Sequence, residues 1–334
     1  MLQVGERTRF TVVQLGALNR AEVDNAVGLA NQTQRALDFV FHPTRIPLKR
    51  QYKLPNGGYD LDQAVNDTLR RHTLPQPLLF LTDAAYGDRD HSKSPGWFYF
   101  ADYELEGHQH VAIVSTHLWR SLPPPRPLQP YILLSFASMA FSVCAGLQTH
   151  EETRGCPGDY CDNPADIDNV LRGQDVCSDC RRSLNARLRA GRLGLDQVAA
   201  ANKLLTRARN RRTAFVVMPF RRRLDPAYQA VHVALAGNGW DVDRADRLSH
   251  PRRITDAIVQ AILSSHLIVA DITGRNPNVF YELGIAHAAG IDVLMLTQDR
   301  SAIPFDVRTE RAIRYSLSPA GLSRLTREVV DMTL

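Results

Sequence analysis

The sequence has no apolar run long enough to cross a membrane. The longest, Tyr131–Leu147, is interrupted by Ser135, Ser138, Ser142 and Gly146 and falls short of the roughly 20 residues a membrane helix needs. It reads instead as a buried helix. The first twenty residues, MLQVGERTRFTVVQLGALNR, place charge where a signal peptide keeps an apolar core, so a cytoplasmic protein with no membrane association is expected. Cysteine is scarce, five residues in 334, and all five fall between positions 144 and 180. Without an export signal, that clustering points to a metal site rather than a disulfide framework. No internal repeat is visible. Hydrophobic residues at 44% and charged residues at 22% exclude collagen-like, mucin-like and wholly disordered chains.

A basic surface overall is also missing. The net charge is +5, but residues 181–212 carry ten Lys/Arg against the single acid Asp196, which leaves the rest of the chain net negative. These arginines have no interleaved aromatics and do not form a reading motif, so nucleic acid is not an expected partner. The length suggests about two domains. Residues 1–185 form one region, ending in the cysteines; 186–211 read as a basic helical connector; 212–334 alternate short apolar runs with amphipathic segments. In that last region, strands at Ala214–Met218, Trp240–Val242, Leu267–Ala270 and Val293–Leu296 are separated by helices at Ala227–Leu235, Ile254–Leu263 and Val279–Ala289. Continuous apolar strands alternating with helices predict a parallel, doubly wound α/β sheet covered on both faces. Ligands bind such sheets beyond the carboxyl ends of the strands.

The polar residues of this region collect at those ends. Asp271 leaves a strand, Thr273 and Gly274 turn the chain, and Asn276 and Asn278 open a helix that carries Tyr281 and Glu282 in its first turns. Gly284 removes a side chain two residues further on, so that a backbone or ligand can come close. Arg221, Arg222 and Arg223 follow Pro219 and Phe220 at another strand end, where phosphates would meet them. His287 reads as structural.

The segments FVVMPF, ADITGRNPNVFYELGIAHAAG, VLML and PFD resemble the nucleoside 2-deoxyribosyltransferase-like family, a flavodoxin-like fold related in outline to TIR domains, over about residues 212–316. The resemblance implies that Glu282 attacks or stabilises an anomeric carbon. It matches Tyr281 and Asp271 to the remaining catalytic positions and Pro219 and Phe220 to the substrate site. The family's usual base-handling aspartate is replaced by Asn276, which turns the expectation from free nucleosides toward NAD or a related nucleotide, whose leaving group needs no general acid. A carboxylate beneath a developing oxocarbenium ion is suited to N-glycosidic cleavage. The expected activity is therefore an N-glycosidase or ribosyl transferase, with Glu282, Asp271 and Tyr281 catalytic and Pro219, Phe220, Arg221, Thr273, Gly274, Asn276 and Asn278 binding substrate. The resemblance further implies a bacterial defence or stress effector, homo-oligomeric and activated through its N-terminal domain by a protein partner. The competing class is a non-catalytic nucleotide sensor, and a third reading, a metallopeptidase, requires an unexpected metal site at His150.

Cys156-x4-Cys161-x15-Cys177-x2-Cys180 offers two pairs of thiolates, enough to close a tetrahedral structural Zn²⁺. His150 is the only substitute ligand nearby, and Cys144 reads as a buried small hydrophobe. The order RIPLKRQY, YDLDQAV, LLFLTDAAYGD, VAIVST, a long helix and then the cysteines resembles archaemetzincin-type metallopeptidases over about residues 40–185. That family carries its catalytic zinc on a His-Glu-x-x-His helix, with a third histidine after a Gly-Leu pair. Gly146, Leu147 and His150 fit the pair and the third position. The helix instead carries Met139, Ala140, Phe141, Ser142 and Val143, so the resemblance implies an α+β, peptidase-derived scaffold that keeps only structural zinc. The loop with Asp88, Asp90 and His91 reads as solvated.

Overall fold

A computed structural model describes residues 7–87, 102–105, 108–117, 119, 127–161, 164–173, 176–245, 254–307 and 311–333. The loop of Asp88, Asp90 and His91 lies outside them. The chain divides into two compact units. The first runs to Leu193 and includes Arg207–Arg209; the second comprises Gly194–Thr206 and Asn210–Leu334.

The first unit contains β1 (Thr8–Leu15), α1 (Arg20–Thr33), β2 (Leu37–Ile46), α2 (Leu61–Leu69), β3 (Leu78–Thr82), β4 (Asp102–Leu105), β5 (His108–Ser115), α3 (Leu128–Ala145), α4 (Pro164–Arg172) and α5 (Ser178–Arg189). Its five-stranded sheet has the order β2-β1-β3-β5-β4. Only β4 is antiparallel, pairing with β5 at the edge. The α+β expectation is corrected here to α/β, because helical crossovers join β1 to β2 and β2 to β3 in parallel. On one face Val65 and Leu61 of α2 pack with Val13, Leu15, Phe80 and Ile113. On the other, Phe136 of α3 stacks on Phe39, 4.3 Å between ring centroids, and Phe39 on Phe10 at 4.9 Å. The expectation that no apolar run is long enough to cross a membrane is corrected for helix α3, which qualifies by length and composition, but most of it is buried within the unit, as the helix of a core.

The second unit contains α6 (Leu195–Ala208), β6 (Arg212–Val217), α7 (Asp225–Ala236), β7 (Trp240–Arg244), α8 (Ile254–Leu263), β8 (Leu267–Asp271), α9 (Pro277–Ala288), β9 (Asp292–Thr297), β10 (Ala312–Arg314) and α10 (Pro319–Thr333). Among the described residues its strands are all parallel, in the order β10-β9-β8-β6-β7. Phe215–Val217 and Ile268–Ala270 are buried on both faces, which is why these strands read as unbroken apolar runs. Chain order reverses between β6 and β8, so their carboxyl ends part and leave a crevice.

The stretch read as a connector is shared between the units. Helix α5 belongs to the first. Helix α6 lies largely in the second, where Val198, Ala201, Leu204 and Leu205 are buried. There Asn202 donates to the Leu263 carbonyl at 3.1 Å, and Lys203 Nζ donates to that of Gly290 at 3.2 Å. These buried polar bonds hold the helix as part of the unit's core layer.

Candidate metal centre

Helix α3 ends at Gly146, and the chain runs through Leu147 to His150. There it forms a parallel bridge with Asp159: the His150 N–H donates to the Gly158 carbonyl (3.0 Å), and Tyr160 N–H donates to that of His150 (2.9 Å). Between these points the loop folds around one carboxylate. Asp159 Oδ2 accepts from the backbone N–H groups of Arg154 (2.8 Å), Gly155 (2.7 Å) and Cys156 (3.0 Å). Gly155 lies against Gly173, where a side chain on either residue would run into the other's backbone. Cys177 occupies the position before α5, and Cys180 sits in that helix's first turn, where the helix dipole favours thiolates.

This scaffold brings four ligand atoms together. His150, Cys156, Cys177 and Cys180 each present one, all within 4.8 Å of each other. Zn–S bonds of about 2.3 Å in a tetrahedron would put sulfur atoms roughly 3.8 Å apart, so the residues fit a zinc ion after a small contraction. His150 Nε2 is 3.4 Å from Cys177 Sγ, while its Nδ1 donates to the Glu152 carbonyl at 3.0 Å. With Nδ1 engaged, Nε2 is the nitrogen left for a metal. Hydrogen bonding from Cys180, against the effect of burial, holds the Cys156 thiol down at about 5, and the same sharing pushes Cys180 up. Four protein ligands of this kind would close a zinc ion as a structural site and leave no position for a reacting water.

The four-cysteine expectation is thereby corrected. Cys161 is not in the group; its thiol donates to the Asp159 carbonyl at 3.6 Å. The bridge sets His150 level with Asp159 and brings it over Cys156, whereas Cys161 follows two residues beyond that level. All five cysteines are free of disulfides, Cys144 among them, half-buried on α3. Sequence spacing favoured Cys161; the signal that pointed the other way was an aspartate between the two cysteines, able to orient a histidine.

The crevice of the second unit does not assemble the expected chemistry. Asp271 is buried at the end of β8, and both its oxygens are occupied: Oδ1 accepts from Thr273 N–H (2.9 Å) and Oδ2 from Tyr315 Oη–H (2.6 Å). Burial raises its pKa. Tyr315, which sequence reasoning passed over, also accepts from Gln298 Nε2 at 3.2 Å, and Gln298 N–H donates to Thr273 Oγ1 at 3.2 Å. The network ties together the ends of β8, β9 and β10. Tyr281 is 62% exposed and does not join Asp271. Asn276 accepts from Asn278 N–H at 2.9 Å, so it serves as the cap of α9, and Asn278 is exposed. Pro219 is buried, Phe220 is exposed, and Arg221 lies beside Gly274. Glu282 is half-buried, with burial pushing its pKa up to about 7. Gly284 faces open space rather than another backbone.

No family model matches the chain, and no curated protein matches it. Among solved structures it is similar to an archaemetzincin from Methanopyrus kandleri, with 18% identity and a TM-score of 0.40 over 57% of this chain and 99% of that one. It is also similar to a zinc-dependent peptidase from Methanocorpusculum labreanum strain Z, with 14% identity and a TM-score of 0.37 over 52% of this chain and 99% of that one. The comparisons give nothing for the deoxyribosyltransferase-like or TIR-like resemblance of residues 212–316. The N-glycosidase expectation is therefore withdrawn: the metal-ligand group lies in the first unit, and in the second Asp271 is closed into a hydrogen-bond network while Tyr281 points to solvent.

Proposed function

We propose that the first unit is a zinc-stabilised, peptidase-like scaffold that recognises an extended polypeptide without hydrolysing it. The observation that carries this reading is the closure of the metal group by His150. A hydrolytic zinc needs three protein ligands and a water. His150 is the residue that the archaemetzincin resemblance would offer as third ligand, and its Nε2 faces the cysteines instead. Helix α3 carries Met139 and Val143 where the two histidines would have to stand and Ala140 where the general base would, with Met139 and Ala140 buried. A scaffold in this condition has no means of activating water, which leaves recognition as its role. The thiolate ligands suit a reducing, cytoplasmic setting. For the second unit we propose a flavodoxin-like fold, on its strand order, and assign it no chemistry.

Metal analysis of the purified protein combined with a peptide-library assay tests this reading. About one zinc per chain is expected, with library peptides retained on immobilised protein and recovered uncut. Two zinc ions per chain with chelator-sensitive cleavage would restore a peptidase. Failure to retain any peptide would end the recognition role.

A further inference from the structure

We propose that Asp159 is the positioning residue that selects His150, over Cys161, as the fourth ligand of the zinc site. The inference rests on the structural-zinc reading above and deepens it. The Asp159 side chain is fully buried, and its two oxygens do different things. Oδ2 is held by the three backbone N–H groups of Arg154, Gly155 and Cys156. Oδ1 has no hydrogen-bond partner by ordinary geometry and lies 3.4 Å from Nδ1 of His150. A buried carboxylate oxygen left this way is costly unless something in the finished site answers it. The imidazole does: drawn from both the Glu152 carbonyl and Asp159 Oδ1, the Nδ1 proton fixes the ring with Nε2 toward the sulfurs.

The same residue keeps Cys161 out. Its backbone carbonyl accepts from the Cys161 thiol, and its bridge with His150 sets the level at which the chain passes the cluster. One aspartate thus decides between a three-sulfur, one-nitrogen site and a four-sulfur site. With Zn²⁺ bound, the first carries a net charge of −1 and the second −2, so the choice also sets how much negative charge the loop has to bury.

Asp159→Asn separates this role from simple packing. The three backbone donors require an oxygen at the Oδ2 position, which turns the new NH₂ group toward His150 Nδ1, so that two donors meet. Zinc affinity, read by competition with a chromophoric chelator, is expected to fall about 10–100-fold. The Co²⁺-substituted variant should lose the three-sulfur, one-nitrogen ligand-field spectrum of the wild type. Cys161→Ser should leave affinity and spectrum unchanged. Wild-type affinity and spectrum in Asp159→Asn, or loss of a thiolate-to-cobalt band in Cys161→Ser, would overturn the proposal. A third measurement needs no variant and guards against an Asp159→Asn protein that does not fold. In the zinc-loaded wild type, long-range ¹H–¹⁵N NMR should find the His150 proton on Nδ1, and a proton on Nε2 would refute the assignment. Failure of the wild type to take up zinc or cobalt would instead overturn the zinc reading itself.

Discussion

The two units are built on sheets of the same size and are held together by different means. In the second, β6, β8 and β9 are apolar throughout their central residues and buried on both faces, so transfer of hydrocarbon from water holds the unit together. In the first, the sheet and α3 form an equally apolar core, and residues 150–184, which bury Ile167, Val170, Val176 and Leu184, add polar means of support. There the chain relies on one buried carboxylate, a pair of abutting glycines and a group of metal ligands. Exposed ion pairs of Arg154 with Glu152 and Asp179 add little at high dielectric. The difference teaches that a loop-rich stretch can add converging polar groups and metal ligands to apolar burial, where a doubly covered sheet relies on apolar burial.

Metal removal should break the comparison most sharply. Chelation by excess EDTA is expected to abolish amide hydrogen-exchange protection across residues 150–184, by on the order of 5 kcal/mol or more, while β6, β8 and β9 keep theirs. Equal loss in both units would show that the second unit also depends on the metal. Next in size is Gly173→Ala. Its new Cβ meets the backbone of Gly155, which cannot rotate away as a side chain would, so overpacking should cost about 2–3 kcal/mol in urea unfolding. A neutral result would mean that the zinc loop yields where the sheet would not.

The smallest effect belongs to the second unit. Burial raises the Glu282 pKa from 4.5 to about 7. A carboxyl raised on folding binds its proton more tightly in the folded state, so its stability contribution is complete below about pH 4.5 and is lost as pH rises through about 7. Glu282→Gln should remove that slope and raise stability above pH 7 by about 1–2 kcal/mol, after discounting for the exposed part of the side chain. Urea unfolding of both proteins at pH 4.5 and pH 8 checks the sign, and a variant less stable at pH 8 would contradict it.

Much of the second unit was legible in advance. The strands around Phe215, Val269 and Leu294 were readable because a strand buried on both faces has to be apolar without interruption. The α3 segment was readable as a core helix for the same reason. The first unit's sheet class was not, since β1, β2 and β3 are joined by connections of unequal length, and which strands pair in parallel is decided only where they meet in space. Residues 186–211 looked solvated from their arginines, but burial is decided by the opposite helical face, where Val198, Leu204 and Leu205 lie. Asp271 and Tyr281 are near each other along the chain and part in space. Strand geometry turns Asp271 inward to Tyr315, forty-four residues away, and leaves Tyr281 on the outer face of α9.

Local pattern alone determined that the final third of the chain is α/β with a parallel sheet and that the cysteines gather where a metal could be held. Only the tertiary structure decided which donors close around that metal and which carboxylates remain available for anything else. The physical reason is that apolar periodicity and ligand type are properties of short segments. Ligand choice and the pairing of buried polar groups depend on where distant backbone amides and rings arrive in three dimensions, and linear spacing does not encode those positions.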